Sequence, residues 1–306
     1  MSKLKRVLSC ALSAVFAFGM GGCKNIPSSG ADVNPDYKPY DESLRVTDTR
    51  VLTDNEYSVL NTVATDDFGR KFLSIDGVND SKYVGMFYFL CNGENREQTG
   101  IYDASIITNE STNHDAFWYV NDSSSPVGAA HWWGEPVYGY YHSQDPWVAR
   151  KHVELLTMMG VDFLCFDVSN AFTYKPGTDV LFAALEEYHD KGWKVPKFLY
   201  YTAYNGENGT GTRNKETIRE LYDNYYKDGK YKDLWFCPYA DGKPLIVRHR
   251  NTQYEAGDEV GDFFHFKYRQ WPNDGSKNET DSVPWIEWTY PQPIHNGWMN
   301  ASVATH

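Results

Sequence analysis

Two carboxylates of this sequence lie in settings where acid–base chemistry could occur. Asp167 ends an apolar run, and Glu287 lies between Trp285 and Trp288. A carboxylate between two indoles is poorly solvated, which raises its proton affinity and suits a general acid. A carboxylate at the end of a buried strand can act as a general acid or base, bind a sugar hydroxyl, or cap the next loop. We therefore take Asp167 and Glu287 as the candidate catalytic residues.

A segment rich in aromatic and polar residues supplies candidate ligand-binding groups. It extends from His131 to His142 and reads HWWGEPVYGYYH. Flat rings stack on the C–H faces of sugars, and neighbouring polar groups bind the hydroxyls. A loop packed over the fold without a ligand is the alternative. The candidate substrate-binding residues of this aromatic segment are His131, Trp132, Trp133, Glu135, Tyr141 and His142.

Further candidates follow later strand-like runs of the sequence. Polar residues at the carboxyl ends of parallel strands meet at one edge of a sheet. We interpret them as groups that bind sugar hydroxyls, with local ion pairs as the alternative. These residues are Tyr201, Asn205, Arg248, Lys267 and Arg269.

The elements that must position these residues alternate between strands and helices. Asp145 and Pro146 are typical of the start of a helix, and Gly160 is typical of its end. Strands are predicted at residues 84–91, 161–167, 195–202, 244–248, 262–268 and 284–289, and further helices at 179–191 and 214–226. Strict alternation indicates parallel strands joined by right-handed helical crossovers.

The fold class that fits this order is α/β, a (β/α)8 barrel of the TIM type. No GxGxxG or GxxxxGK[ST] motif lies at a strand-to-helix turn, which disfavours the alternative, a nucleotide-binding doubly wound sheet. Six barrel strands are recognisable, and a barrel that lacks two strands has two exposed edges. The sequence therefore predicts a barrel that is incomplete at its C-terminus. An irregular barrel, with a strand hidden between Trp118 and Tyr141, is the other interpretation.

The N-terminal residues resemble a bacterial lipoprotein signal. Lys3, Lys5 and Arg6 precede an apolar run that is too short for a permanent transmembrane helix, and small residues then lead to Cys23, the expected lipidation site. An ordinary signal peptide cleaved elsewhere is the alternative. The next residues are rich in proline and polar side chains, which is typical of a flexible tether. We predict a signal peptide at residues 1–22, a tether at 23–48 and the barrel domain at 49–306.

The composition disfavours several classes of partner and cofactor. The formal net charge is −12, which makes a phosphate backbone or an anionic lipid surface an unsuitable partner. No HExxH or GxSxG motif is present, so we expect neither a metal nor another cofactor. The 10 Trp and 23 Tyr residues favour a carbohydrate ligand. We expect a monomer that is anchored in the cell envelope, outside the cytoplasm, by a lipid on Cys23.

Four segments of the chain together carry a family resemblance. They read VGMFYF, HWWGEPVYGYY, DPWVARKH and GVDFLCFD, within residues 62–306. They resemble glycoside hydrolase families 71 and 99, in particular bacterial lipoproteins similar to endo-α-mannosidase barrels. The resemblance implies a (β/α)8 barrel that acts on glycans at or near bacterial surfaces.

The resemblance breaks at one motif. Members of these families carry a Trp-flanked Asn-Glu motif after a late strand, and no WNE sequence is present here. The predicted function is therefore a surface-tethered glycoside hydrolase that uses carboxylates. A glycan-binding lipoprotein without turnover, or an inactive fragment of the hydrolase, is the alternative.

The predicted anchor can be tested by labelling cells with a palmitate analogue. Cys23→Ala removes the thiol that would carry the acyl chain, so we expect complete loss of the label from the protein. Cys10→Ala, within the apolar run of the signal, is the matched control and should be labelled as strongly as the unaltered protein. A Cys23→Ala variant that still incorporates the label would contradict the anchor.

Overall fold

The structure of the protein is a computed structural model, and the residues that it describes lie within one compact unit, residues 49–306. The described residues are 64–65, 71–72, 81–92, 100–109, 123–126, 129, 131–202, 211–270, 280–284, 287 and 291–301. Cys23, Asn205 and the two indoles beside Glu287 lie outside these ranges. No helix within them is long and apolar enough to cross a bilayer.

Six parallel strands form one sheet in the order in which they occur along the chain. Two short strands, β1 (Ala64–Thr65) and β2 (Lys71–Phe72), form a separate antiparallel pair. The sheet consists of β3 (Gly85–Tyr88), β4 (Phe163–Asp167), β5 (Lys197–Tyr201), β6 (Leu245–Arg248), β7 (His265–Gln270) and β8 (Ser282–Pro284). The strand order never reverses, whereas a doubly wound sheet reverses at its switch point. The predicted α/β class with a parallel sheet is confirmed, and closure into an eight-stranded barrel stays a prediction.

Helices lie between successive strands of the sheet from β3 to β7. They are α1 (Ala104–Asn109), α2 (Pro146–Met158), α3 (Lys175–Asp190), α4 (Thr212–Tyr225) and α5 (Glu259–Phe263). The predicted start of α2 is confirmed, because the Asp145 side chain accepts hydrogen bonds from the backbone N–H groups of Trp147 and Val148. By contrast, α3 begins before the predicted position 179. Tyr174 precedes it in a left-handed conformation and makes no side-chain cap, so the sequence carries no cap signature there.

The last two strands also differ from their predicted bounds. Strand β7 begins later than residue 262, because the preceding residues form α5, which is capped by the Asp258 side chain. Strand β8 ends where the predicted strand begins, at Pro284. Proline lacks the N–H that would continue the ladder of hydrogen bonds.

Alternation along the central strands gives the sheet two different faces. One set of strand residues packs with α2, α3 and α4 on what we call the helix face: Leu164, Phe166, Phe198, Tyr200 and Ile246. The intervening residues form a second cluster, to which α1–α5 contribute nothing, on what we call the inner face: Phe163, Cys165, Leu199, Tyr201, Leu245 and Val247. Because both faces are buried, these strands are nearly continuous apolar runs in the sequence.

Gly85→Ala tests the fit of β3 against β4. A Cβ at Gly85 would overlap the ring of Phe163, which cannot move away freely because it stacks on Phe236 with ring centroids 4.1 Å apart. We expect the substitution to lower the free energy of unfolding by about 1–3 kcal/mol in denaturant titrations. Gly134→Ala is the control, since the nearest atom to its Cβ would be Ser105 Oγ at 3.7 Å. Equal losses in the two variants would contradict this packing.

Candidate functional site

Asp167 is the last residue of β4 and lies on the inner face of the sheet. In the register of the sheet, Asp167 pairs with Tyr201 of β5, Tyr201 with Val247 of β6, and Val247 with Lys267 of β7. Residues paired in this way project to the same side of a sheet. The prediction that Asp167 lies at the carboxyl end of its strand is confirmed.

The phenol of Tyr201 is flanked by a carboxylate and a guanidinium. Burial raises the pKa of Tyr201, the positive charge of Arg269 opposes that rise, and the negative charge of Asp167 adds to it. Asp167 is half-buried, and its Oδ1 accepts a hydrogen bond of 2.9 Å from the backbone N–H of Ser169. Asp167, Tyr201 and Arg269, which we call the Asp167 cluster, combine an acceptor, a neutral hydroxyl and a cation. Such a set of groups can bind several hydroxyls of one sugar.

The loop that follows β4 contains unusual backbone conformations. Ala171 has φ = +65° and Tyr174 has φ = +49°, values that side chains of these types rarely adopt. Arg213 donates a hydrogen bond of 3.2 Å to the Ala171 carbonyl and so helps to hold the loop. Strained backbone of this kind is concentrated at functional sites. It therefore supports a functional role for the carboxyl end of β4.

Lys267 and Arg269 both project from β7 to the inner face, yet their contacts differ. Lys267 Nζ lies 3.2 Å from Asp281 Oδ1 and 5.0 Å from the centre of the Tyr239 ring. It therefore takes part in a local ion pair. Arg269 lies two residues closer to the carboxyl end of the strand and contacts Tyr201.

Arg248 lies on the opposite side of the sheet from the Asp167 cluster. It directly follows Val247, so alternation turns it towards the helix face, where its guanidinium lies 4.2 Å from the centre of the Phe266 ring. Burial lowers the pKa of Arg248, and its Nη1 donates a hydrogen bond to the Thr252 carbonyl. The structure does not bring Arg248 to the Asp167 cluster. Its contacts instead hold the loop that follows β6.

The structure pairs Glu287 with His295. Glu287 Oε2 lies 2.9 Å from His295 Nε2, and 1% of the Glu287 side chain is exposed. Asn296 and Gly297 both have positive φ, and the residues on either side, His295 and Trp298, exchange backbone hydrogen bonds of 2.7 and 2.8 Å, as in a type I′ hairpin. This turn places the imidazole beside the carboxylate.

The aromatic segment is fixed at the carboxyl end of β3. Asn92, just after that strand, donates a hydrogen bond of 2.8 Å to the Tyr141 carbonyl, and its own carbonyl accepts one from the Ser143 backbone N–H. The segment therefore lies at the same edge of the sheet as the end of β4. Its exposed candidates are His131, Trp133, Glu135 and His142.

The two adjacent indoles of the aromatic segment have different surroundings. Trp132 is half-buried, with ring centroids 5.4 Å from Tyr140 and 5.8 Å from Tyr141. Trp133 is 92% exposed. Trp132 is therefore placed to support the segment, whereas the ring of Trp133 is accessible from solvent.

Asp103 organises this region, although the sequence analysis did not identify it. Its Oδ1 accepts hydrogen bonds from the backbone N–H and the hydroxyl of Ser105, at 2.8 and 2.6 Å, and its Oδ2 accepts one of 2.6 Å from the Tyr140 hydroxyl. The bonds from Ser105 and Tyr140 lower the pKa of Asp103, and the bond to Asp103 raises the pKa of Tyr140 to about 12. An Asp directly before a helix is an N-cap signal that could have located this residue.

Two further expectations concern metals and Asn205. Among the described residues, no group of three or more His, Cys, Asp or Glu side chains is arranged to hold a metal ion. Asn205 lies outside those residues, so its assignment as a sugar-binding group stays a prediction.

Solved structures that resemble this chain include glycoside hydrolases of low sequence identity. The GH99 endo-α-mannosidase from Bacteroides thetaiotaomicron is 18% identical, with a TM-score of 0.34, over 53% of this chain and 49% of that chain. The same enzyme in complex with BIS-TRIS-Propane is 18% identical, with a TM-score of 0.33, over 50% of each chain. A glycoside hydrolase-like protein is 13% identical, with a TM-score of 0.38, over 68% of this chain and 59% of that chain. This chain thus spans about half the length of the two mannosidase structures. No protein-family model matches the chain, and no curated protein does.

Thermal and denaturant unfolding of two variants tests the different surroundings of the two indoles. Trp132→Ala removes the ring that packs on Tyr140 and Tyr141, so we expect the free energy of unfolding to fall by about 1–3 kcal/mol. Trp133→Ala removes an exposed ring and should change it by less than about 0.5 kcal/mol. The opposite order of stability would show that Trp133 is the packed residue.

Proposed function

We propose that the protein is a glycoside hydrolase that acts on a polysaccharide or glycan by carboxylate acid–base catalysis. The observation that carries this proposal is the Asp167 cluster, which lies on the inner face at the carboxyl end of the parallel strands. Active sites of (β/α) barrels lie at that end, and we propose that the six strands belong to such a barrel. In this role Asp167 exchanges a proton with the glycosidic oxygen or with water, while Tyr201 and Arg269 bind hydroxyls.

Exposed aromatic rings at the same edge of the sheet support a carbohydrate ligand. Phe89 follows β3 and is 58% exposed, Trp133 in the aromatic segment is almost fully exposed, and Phe172 after β4 is 61% exposed. Large exposed apolar side chains that occur together often mark a binding surface. Rings of this kind can cover the C–H faces of successive sugar units. Their distribution over two neighbouring strand ends supports an extended glycan as the ligand.

Glu287 is the proposed second carboxylate, and it must become accessible before it can act. Hydrolysis of a glycosidic bond commonly uses two carboxylates that flank the bond, roughly 5–9.5 Å apart. In the structure Glu287 is buried against His295. We propose that contact with a sugar accompanies separation of the His295 imidazole from this carboxylate.

A second candidate function, glycan binding without turnover, is favoured by that burial. If Glu287 remains paired with His295, the Asp167 cluster has one accessible carboxylate. Such a site can bind hydroxyls, but it lacks the partner that shares the acid and base steps. The aromatic segment would then serve a binding lipoprotein.

We also propose that the protein is held in the cell envelope, outside the cytoplasm, by a lipid on Cys23. The basic residues and the apolar run that precede Cys23 support this proposal. In this setting we propose a monomer that binds carbohydrate and uses neither nucleic acid nor a cofactor. The net charge of −12 supports the exclusion of nucleic acid.

Asp167→Asn tests the proposed hydrolase. Asparagine keeps the shape of the side chain and removes its ability to exchange a proton. We expect the release of reducing ends from starch, dextran, xylan, pullulan and yeast mannan to fall at least ~100-fold on whichever polymer the unaltered protein cleaves. Asp190→Asn, at the exposed end of α3, is the matched control and should retain full activity.

The outcomes separate the two candidate functions. Full activity of Asp167→Asn would show that the hydrolase proposal is wrong about its central residue. If the unaltered protein cleaves none of the polymers but binds one of them, and Trp133→Ala weakens that binding about fivefold, glycan binding without turnover is supported. That factor corresponds to a stacking energy of about 1 kcal/mol.

A further inference from the structure

A cavity of 230 Å³ lies where the end of β3 meets the N-terminal halves of α2 and α3. Its lining from the two helices consists of Val148, Ala149, His152, Gly177 and Leu181. These helices pack on the helix face, whereas the Asp167 cluster lies on the inner face, so the cavity is a separate place in the fold. Phe89 and His142, which are both exposed, also line the cavity and so connect it with solvent.

The polar part of the lining is held in place by hydrogen bonds. The Tyr88 hydroxyl lies 2.8 Å from His152 Nδ1, which leaves the Nε2 edge of the imidazole for another partner. Asn92 and Ser143 are fixed to each other, with Ser143 Oγ donating a hydrogen bond of 2.7 Å to the Asn92 carbonyl. Side chains positioned in this way favour a ligand that has hydroxyl groups.

Two ionisable groups of the lining, His152 and Asp145, do not call for a charged ligand. Burial lowers the pKa of His152 and so favours the neutral imidazole. Asp145 is ionisable, but its carboxylate accepts hydrogen bonds of 2.8 and 3.2 Å from the first backbone N–H groups of α2. The partial positive charge of the helix N-terminus offsets that negative charge.

The apolar part of the lining and the volume both suit one six-membered ring. Val148, Ala149 and Leu181 provide apolar surfaces that pack against C–H groups. A cavity of about 150 Å³ holds benzene, so 230 Å³ accommodates a ring with several substituents. We propose that this cavity binds one uncharged sugar ring, as a subsite separate from the Asp167 cluster. The sugar chemistry of this ligand rests on the proposed function.

The proposal is tested by titrating the protein with methyl glycosides of glucose, galactose and mannose, with glucuronate as the charged comparison. Binding is followed through the imidazole NMR signals of His152, which are assigned with His152→Gln. We expect a saturable shift with at least one neutral glycoside. Val148→Phe fills the cavity and should raise the dissociation constant at least about tenfold. Leu155→Phe enlarges a residue of the same helix outside the cavity and should leave the constant unchanged.

The outcomes distinguish a failure of this subsite from a failure of the hydrolase. Retained binding by Asp167→Asn, with activity lost, would support two separate places. The unaltered protein could cleave no polymer while its His152 signals still shift with added glycoside. If Val148→Phe abolishes that shift, the sugar subsite is supported and the proposed hydrolase activity is not. Absence of any saturable shift up to ~50 mM glycoside would overturn the proposal. So would equal binding by Val148→Phe, or tighter binding of glucuronate than of every neutral glycoside.

Discussion

The in-register pairing of parallel strands is the constraint on which the rest of this structure depends. Because Asp167, Tyr201 and Val247 occupy one row across β4, β5 and β6, their side chains must project to the same side. The large apolar residues that alternate with this row then project to the helix face, where they pack against the helices. A shift of one residue in any pair would turn the polar groups into the helix layer and expose apolar ones. The same burial that stabilises the sheet thus brings a carboxylate, a phenol and a guanidinium together.

Much of this frame could be predicted from the sequence, because local signals determine it. Continuous apolar runs mark strands buried on both faces, and Asp145 with Pro146 marks a helix start. The side to which a residue turns could not be predicted in the same way. Arg248 follows a run in which every residue is buried, so its orientation depends on the register with β7. The difference between Trp132 and Trp133 likewise depends on rings several residues further along the chain. The pairing of Glu287 with His295 had a usable signal, since Asn-Gly is a strong marker of a tight hairpin.

The chain between β3 and α2 contributes residues both to the aromatic segment and to the cavity beside His152. Near its end, Trp133 is exposed to solvent, and residues 141–143 and 145 line the cavity beside His152. Asn92 holds the end of this connection through Tyr141 and Ser143. The same stretch of backbone would therefore take part in two kinds of contact. One is with a glycan along the edge of the sheet, and the other is with a single sugar ring in the cavity.

Asp103 caps the start of α1 and restrains the aromatic segment with the same carboxylate. Moving Tyr140 away from it would remove a charge-assisted hydrogen bond and leave the cap of α1 with one partner fewer. The conformational entropy of this surface is therefore lost largely when the chain folds and not when a ligand arrives. Association with a rigid surface of this kind requires less reorganisation, so weak individual stacking contacts can contribute more of their energy to affinity.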